Sequence, residues 1–147
     1  MKLTLHHVNI SADDVPGLDA FYGEILFQDD IPEMKSLPSL DEAAYAGPVA
    51  FRTDGQVQFH LAKLDRDLAL REGKAINPLD RGHLAFRTDD IEAFKRHLDA
   101  KGVRYVDYGT TFTRHWHQIF FHDPVGTVIE VHQVLDGNLQ APALRGS

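Results

Sequence analysis

The chain has no cysteine, no long apolar run and no excess of basic residues, and each absence removes a class of protein. Without cysteine, disulfide bonds and thiolate metal sites are excluded. No apolar run approaches the roughly 18 residues of a membrane-spanning helix. Acidic residues outnumber basic ones by 22 to 15, and this net charge of −7 argues against binding to nucleic acid or an anionic membrane. The N-terminal residues lack the basic and then apolar layout of a signal peptide, so we expect a cytoplasmic protein.

Histidine is the residue type in excess. The chain has 9 histidines in 147 residues, and they are dispersed rather than clustered as in a purification tag. Histidine is the commonest metal ligand, so the positions of these residues decide whether they carry chemistry. The apolar content of 43% is enough for the core of about one domain.

Two segments of the chain carry the same pattern, 76 residues apart. His7 is followed by alternating apolar residues and by Asp13-Asp14, and His83 is followed by the same alternation and by Asp89-Asp90. A β-branched residue then opens a helical pattern in each copy. We therefore interpret the chain as two copies of one unit, with a histidine at the same point of both.

Hydrophobic periodicity predicts a β-α-β-β-β order in each copy. The predicted divisions are a first module over about 3–62, a charged connection over 63–80, a second module over about 81–134 and a tail over 135–147. In the first module, Asp13 or Asp14 is expected to cap a helix, and Asp90 caps the matching helix in the second. The stripe of the first helix is Leu18, Phe21, Tyr22, Ile25 and Leu26, and that of the second is Ile91, Phe94 and Leu98. The predicted strands cover 3–11, 31–37, 47–53, 56–62, 82–88, 103–108, 115–122 and 127–134.

Strand periodicity places four ligand-type residues on one face of the predicted sheet. Side chains alternate faces along a strand, so each strand has one apolar face, and the opposite face carries His7, His60, His83 and Glu130. These four lie on the first and the last strand of each unit. Three imidazoles and a carboxylate suit Zn²⁺, Ni²⁺, Fe²⁺, Mn²⁺ or Co²⁺, whereas Mg²⁺ and Ca²⁺ prefer oxygen ligands. The sequence therefore predicts a divalent metal site built by both modules.

Three further histidines are candidates for supporting roles. His115 and His117 share a face of one strand, and His132 shares a face with Glu130, so each could orient a ligand or relay a proton. Solvated histidines near a strand edge would have the same spacing. Glu130 and His115 are the candidate catalytic residues.

The remaining candidates are weaker. Arg87 could hold an anionic substrate group if its face is that of the site, and a surface salt bridge is equally compatible with its position. His6 and His97 are expected to point away from the site. Trp116 is expected in the core. The charged connection is either a solvated linker, with a short helix, or a flap over the site.

The pattern resembles the vicinal oxygen chelate superfamily, which includes glyoxalase I, methylmalonyl-CoA epimerase, extradiol dioxygenases, fosfomycin-resistance transferases and bleomycin-binding proteins. The resemblance covers residues 3–134. It includes His7 with the following Asp-Asp, Phe21-Tyr22, Gly82-His83 and the run 120–130, which is similar to the family's closing hairpin F-x-D-P-x-G-x-x-I-E. It implies an α+β fold of two paired βαβββ modules that curl as a cup-shaped mixed sheet around a divalent metal. By analogy, members of this length often form homodimers, in which the first module of one chain completes a site with the second module of the other.

The resemblance leaves the reaction open between several members. A glyoxalase I-like lyase or isomerase would chelate a small substrate through two oxygens and move a proton with a carboxylate. Bacterial members of that type commonly have a carboxylate where this chain has His60, which leaves Glu130 as the only acid of the set. Either Glu130 dissociates to act as the base, or another group takes that role.

Other members of the family differ from this chain at identifiable positions. In an extradiol dioxygenase, His7, His83 and Glu130 would be the iron triad, but the family's tyrosine falls on Phe120 and its catalytic histidine on Thr111. A fosfomycin-type transferase would need a basic pocket that the sequence does not show. A non-catalytic antibiotic-binding member would lack the metal ligands, so their presence argues for an enzyme acting on a small molecule.

Overall fold

The two copies of the repeat form neighbouring halves of one mixed sheet. The computed structural model of the chain describes residues 1–31 and 48–136. Within these ranges it has eight strands and three helices. The strands are β1 (Thr4–Ala12), β2 (Asp29–Asp30), β3 (Val49–Thr53), β4 (Gln58–Lys63), β5 (Gly82–Arg87), β6 (Val106–Gly109), β7 (Trp116–His122) and β8 (Val128–Val134). The helices are α1 (Val15–Glu24), α2 (Leu68–Glu72) and α3 (Ile91–Ala100).

The strand order shows the duplication directly. The eight strands form one open sheet in the order β2-β3-β4-β1-β5-β8-β7-β6. In each half the first strand pairs in parallel with the last, β1 with β4 and β5 with β8, and β1 pairs antiparallel with β5 where the halves meet. The α+β class and the paired modules expected from the sequence are confirmed.

The Asp-Asp pair of each copy sets the start of its helix. The Asp14 side chain accepts a hydrogen bond from the backbone N–H of Gly17 at 3.0 Å, and Asp90 does the same for Ala93 at 2.9 Å. Both are N-caps that satisfy one free donor of the first helical turn. In each copy it is the second Asp that caps the helix.

The helices cover one face of the sheet and leave the other face for polar side chains. The helix α3 packs Ile91, Phe94 and Leu98 against the outward side chains of β7 and β8, as predicted. The helix α1 packs Leu18 and Tyr22 against β3 and β4. The apolar side chains of the inner strands pack against the helices. Because side chains alternate along a strand, the histidines and Glu130 lie on the opposite face.

The first helix differs in extent from its prediction. The helix α1 ends at Glu24, and the predicted stripe is wrong for Phe21, Ile25 and Leu26, which are about half exposed. Leu18 and Tyr22, one turn apart, fill the contact with the sheet, and the chain then turns away with Phe27 at a positive φ of 57°. The strand predicted over 31–37 lies almost wholly outside the described residues, as does most of the tail.

The connection between the modules packs against the sheet. Leu68 and Leu79 are buried with Ala62 of β4, and Ile76 is buried with Tyr108 and Phe120. Its short predicted helix is present as α2. No helix of the described ranges is long and apolar enough to cross a membrane.

Candidate metal centre

Three of the four predicted ligands come together in the middle of the sheet. One ligand atom each from His7, His83 and Glu130 lies within 4.8 Å of the others, and all three side chains are buried. The Nε2 atoms of His83 and His7 are 3.0 Å and 3.7 Å from Oε1 of Glu130. These residues come from β1, β5 and β8 of a single chain, so no second chain is needed to complete the group.

The donor set and its spacing fit a divalent ion. Two ligands at about 2.1 Å from one ion are about 3.0–3.4 Å apart, close to the observed separations. His83 Nδ1 donates to the carbonyl oxygen of Pro78 at 2.9 Å, which directs its Nε2 toward Oε1 of Glu130 and toward an ion bound there. A backbone partner of this kind is the usual way in which a protein orients a histidine ligand.

Glu130 is held as a carboxylate by its imidazole neighbours. Its Oε2 accepts a hydrogen bond from His132 Nδ1 at 2.6 Å. Burial alone would raise the pKa of this carboxyl group, but the three imidazoles around it outweigh burial and hold the pKa well below its usual value. The role weighed for His132, that of orienting a ligand, fits this geometry.

His60 lies at the centre but does not face the other ligands. Its ring stacks on that of His7, with ring centres 3.7 Å apart and planes only 12° apart. Its ligand atom is not grouped with those of His83 and Glu130. His60 Nε2 instead donates to Gln58 Oε1 at 2.7 Å. The structure therefore groups His7, His83 and Glu130 as one set and places His60 beside it.

His6 lies inside the cluster, and the expectation that it points away was wrong. Register between β1 and β5 shifts between Leu5 and His7, which leaves His6 as the extra residue of a bulge. A bulge lets two successive side chains lie toward the same side. His6 Nδ1 is 2.8 Å from His7 Nδ1, and His6 belongs to a second group of possible ligands with His7 and His60. No residue type near His6 indicates this bulge in the sequence.

Arg87 lies on the same face as the centre. The interpretation that it holds an anionic substrate group required this position. Its guanidinium donates from Nε to His132 Nε2 at 3.0 Å and from Nη2 to His6 Nε2 at 3.1 Å. It also lies over the ring of Trp116, which stacks on His132 at 4.1 Å. Trp116 is buried as expected, but it packs against this polar cluster and not against the helices.

His115 and His117 are not brought to the centre. Side chains alternate along β7, so residues paired with the outward positions of β8 lie on the helix face. His117 bonds Asp107, and His115 Nδ1 is 2.5 Å from Oδ2 of Asp136. The structure thus separates the candidate catalytic His115 from Glu130. His97 is exposed on α3, in agreement with the prediction.

The connection contributes to the centre in a way that side-chain patterns do not show. The Pro78 carbonyl orients His83, and Phe120, under the connection, meets the His83 ring edge to face at 5.4 Å. A cavity of about 600 Å³ opens beside His83 and Asn9, and the connection forms one of its walls. The solvated-linker interpretation is therefore wrong for the buried part of the connection.

The fold and the centre define a class of protein: a duplicated βαβββ chain whose two modules share one buried group that could hold an ion. A sequence model of the Glyoxalase/Bleomycin resistance protein/Dioxygenase superfamily matches residues 4–131. The chain therefore belongs to this superfamily, as the resemblance implied. A search of curated proteins finds no match.

Solved structures show the same fold at low sequence identity. A hypothetical protein from Bacillus halodurans C-125 has a TM-score of 0.63 and 17% identity, over 93% of this chain and 98% of its own. A methylmalonyl-CoA epimerase variant from Streptomyces coelicolor, in complex with 2-nitronate-propionyl-CoA, has a TM-score of 0.60 and 19% identity, over 92% and 100%. The epimerase from Mycobacterium tuberculosis has a TM-score of 0.60 and 22% identity, over 88% and 87%. These likenesses establish the fold alone.

Proposed function

We propose that the chain is a metal-dependent lyase or isomerase of this superfamily, which binds a small substrate through two oxygens and moves a proton beside a carbonyl group. The observation that carries the proposal is the buried group of His7, His83 and Glu130, with its spacing and donor types. A divalent ion there would polarise the substrate oxygens and acidify the neighbouring C–H bond. Three protein ligands leave positions for two oxygens of one substrate.

His60 is our candidate for the proton acceptor. Burial lowers the pKa of His60 to about 3, so its ring is neutral at pH 7, and the negative charge of a bound substrate would have to raise this pKa for the ring to hold the transferred proton. Because Nε2 donates to Gln58, the proton of this neutral ring is on Nε2 and Nδ1 has a free lone pair. Glu130 is less available as a proton acceptor, because Oε2 is hydrogen-bonded to His132 and Oε1 faces His83. His60 thus replaces the second carboxylate that the resemblance led us to look for.

The experiment combines metal analysis with substrate screening. We expect the chain, purified without oxygen, to hold about one divalent ion per site. The loaded protein would then be assayed with the hemithioacetal of methylglyoxal and glutathione, and with 2-methyl-branched acyl-CoA esters, since similar folds include an epimerase. The proposal fails if no ion is retained and if Zn²⁺, Ni²⁺, Mn²⁺ and Fe²⁺ do not raise the melting temperature.

A second candidate is an extradiol-type dioxygenase, and the stacking of His60 favours it. Without His60, the group is two histidines and one carboxylate, the ligand set of many iron(II) oxygenases. Oxygen consumption with Fe²⁺ and catechols would identify this activity. Proton exchange at carbon without oxygen uptake would identify the first candidate instead.

A homodimer is part of the proposal, although the centre is complete in one chain. An exposed apolar surface at the end of α1, formed by Phe21, Ile25, Leu26 and Phe27, is available for a second copy. Light scattering after size exclusion distinguishes a dimer from a monomer. Exchange of Phe27 for Asp should weaken a dimer that uses this surface.

A further inference from the structure

Arg87 joins two histidines of the cluster whose ring centres are 5.2 Å apart. Its Nε–H donates to His132 and its Nη2–H donates to His6. A guanidinium has donors only, so both imidazoles must accept at Nε2. A ring that accepts at Nε2 is neutral and has its proton on Nδ1.

The Nδ1–H groups of the two histidines donate to different neighbours. His132 Nδ1–H donates to Glu130 Oε2, which leaves Oε1 available to an ion. His6 Nδ1–H lies 2.8 Å from Nδ1 of His7, which must then accept. A neutral His7 of this kind has its proton on Nε2, the nitrogen that faces Glu130 Oε1.

This pattern conflicts with an ion at His7. An ion bound at Nε2 needs the lone pair of that atom, so the proton of a neutral His7 has to move to Nδ1. His6 Nδ1 then has to accept it, and the proton of His6 is on Nε2. Two donors, Nε2–H of His6 and Nη2–H of Arg87, would face each other at 3.1 Å.

We propose that the Arg87–His6 contact stabilises the metal-free form of this centre and that ion binding at His7 has to break it. The contact with His132 is compatible with both forms, because it leaves Glu130 Oε1 free. Arg87 is thus a positioning residue whose two contacts act differently on the centre. Once released from His6, its Nη2 donors are available to an anionic group. The inference rests on the proposed metal centre.

The hydrogen pattern can be measured without any metal. In the metal-free protein, ¹⁵N NMR of the histidine rings should show the Nδ1–H tautomer for His6 and His132, and the Nε2–H tautomer for His7. Addition of Zn²⁺ should reverse His6 to the Nε2–H tautomer and leave His132 unchanged. Retention of Nδ1–H on His6 after loading would overturn the proposal, because His7 would then bind as an anion with the Arg87 contact intact.

Metal affinity gives an independent test. Both Arg87→Met and His6→Ala remove the contact, but only the first removes a positive charge near the ion. Each should bind Zn²⁺ about tenfold more tightly than the natural chain, because only the natural chain loses a charged hydrogen bond when the ion binds. The matched controls, Arg96→Met and His97→Ala on the exposed side of α3, should change nothing.

The outcomes separate this inference from the proposed function. Tighter binding by Arg87→Met alone means that charge repulsion is the cause, and the inference is then wrong. Equal affinity in all four variants also overturns it, while the metal centre stands. If none of the chains, natural or variant, binds an ion, both the proposed function and the inference fail.

Discussion

At the scale of single residues, Glu130 depends on its surroundings more than any other group of the centre. It is 1% exposed, and the burial of its charge is compensated by the imidazoles around it and by the nearby positive charge of Arg87. Burying a carboxylate without partners is very costly, so the imidazoles and the carboxylate stabilise one another. A bound ion would strengthen this arrangement by adding positive charge at Oε1.

Removal of one ligand should abolish metal retention. In Glu130→Gln the negative charge is lost, and in His83→Ala the ligand oriented by Pro78 is lost. We expect neither variant to retain an ion through a desalting column, as measured by elemental analysis. His97→Ala is the matched histidine control and should retain the natural amount. Equal loss in His97→Ala would mean that the faces of the sheet are wrongly assigned.

His60→Gln should separate metal binding from activity. Since the ring of His60 stacks on His7 and its nitrogens face elsewhere, the variant should keep its ion with less than about a threefold change in affinity. Proton transfer should fall by about 10²–10⁴-fold, the usual contribution of a general base. Isothermal titration with Zn²⁺ and the assay of substrate proton exchange measure the two effects. Loss of the ion in this variant would restore His60 as a ligand.

At the scale of elements, the first residue of β5 is where backbone packing supports the centre. Gly82 has a φ of 135°, and a Cβ atom there would overlap the carbonyl oxygen of Asn9 in β1. Only glycine allows the two strands to approach this closely. His83 follows directly, so this close approach sets the position of a ligand.

Gly82→Ala should therefore cost more than the exchange of another glycine that has a positive φ. We expect a loss of about 2 kcal/mol or more in the free energy of unfolding, together with weaker metal retention. Gly102→Ala is the control: it also has a positive φ, 70°, but open space around its Cβ position. It should cost about 1 kcal/mol. Urea unfolding measures both, and equal losses would contradict the role of the strand contact.

Much of the fold could be predicted because the repeat constrains it twice. The alternation after His7 and His83, and the capping Asp14 and Asp90, predict the same unit at two places, and the structure has both. The alternation of side chains along a strand then correctly placed His83 and Glu130 on one face. The same alternation gave the wrong side for His6, because a bulge interrupts it and leaves no mark in the sequence.

The limits of α1 and the role of Pro78 could not be predicted for a different reason. Phe21, Ile25 and Leu26 have the spacing of a buried stripe, but tertiary packing uses only Leu18 and Tyr22. The contact of Pro78 with His83 is made by a backbone carbonyl, which every residue has. Patterns of side-chain type contain no information about such a contact.

At the scale of the whole molecule, the histidine cluster lies where the two modules join. Strands β1 and β5 belong to different modules and pair with each other, and the neutral rings of His6, His7 and His132 lie over that junction. Burial lowers the pKa of each ring. Protonation of the cluster would therefore oppose the association of the modules.

The metal-free protein should lose stability in mild acid. In the unfolded chain a histidine binds a proton below a pKa of about 6.5, whereas burial keeps His60 neutral in the folded chain down to about pH 3. The unfolded state thus binds more protons between these values, and the stability present above pH 6.5 is lost as the pH falls. At pH 5 one such histidine accounts for about 2 kcal/mol.

Urea unfolding at pH 7.5 and at pH 5.0, with a chelator present, measures this loss. The natural chain should unfold at a clearly lower urea concentration at pH 5.0. In His60→Gln the difference between the two pH values should be smaller by about 2 kcal/mol, because one titrating ring is gone. The exposed His97→Ala should keep the full difference. An unchanged midpoint in the natural chain would mean that the rings of the cluster are not held neutral, and that the junction of the modules does not depend on them.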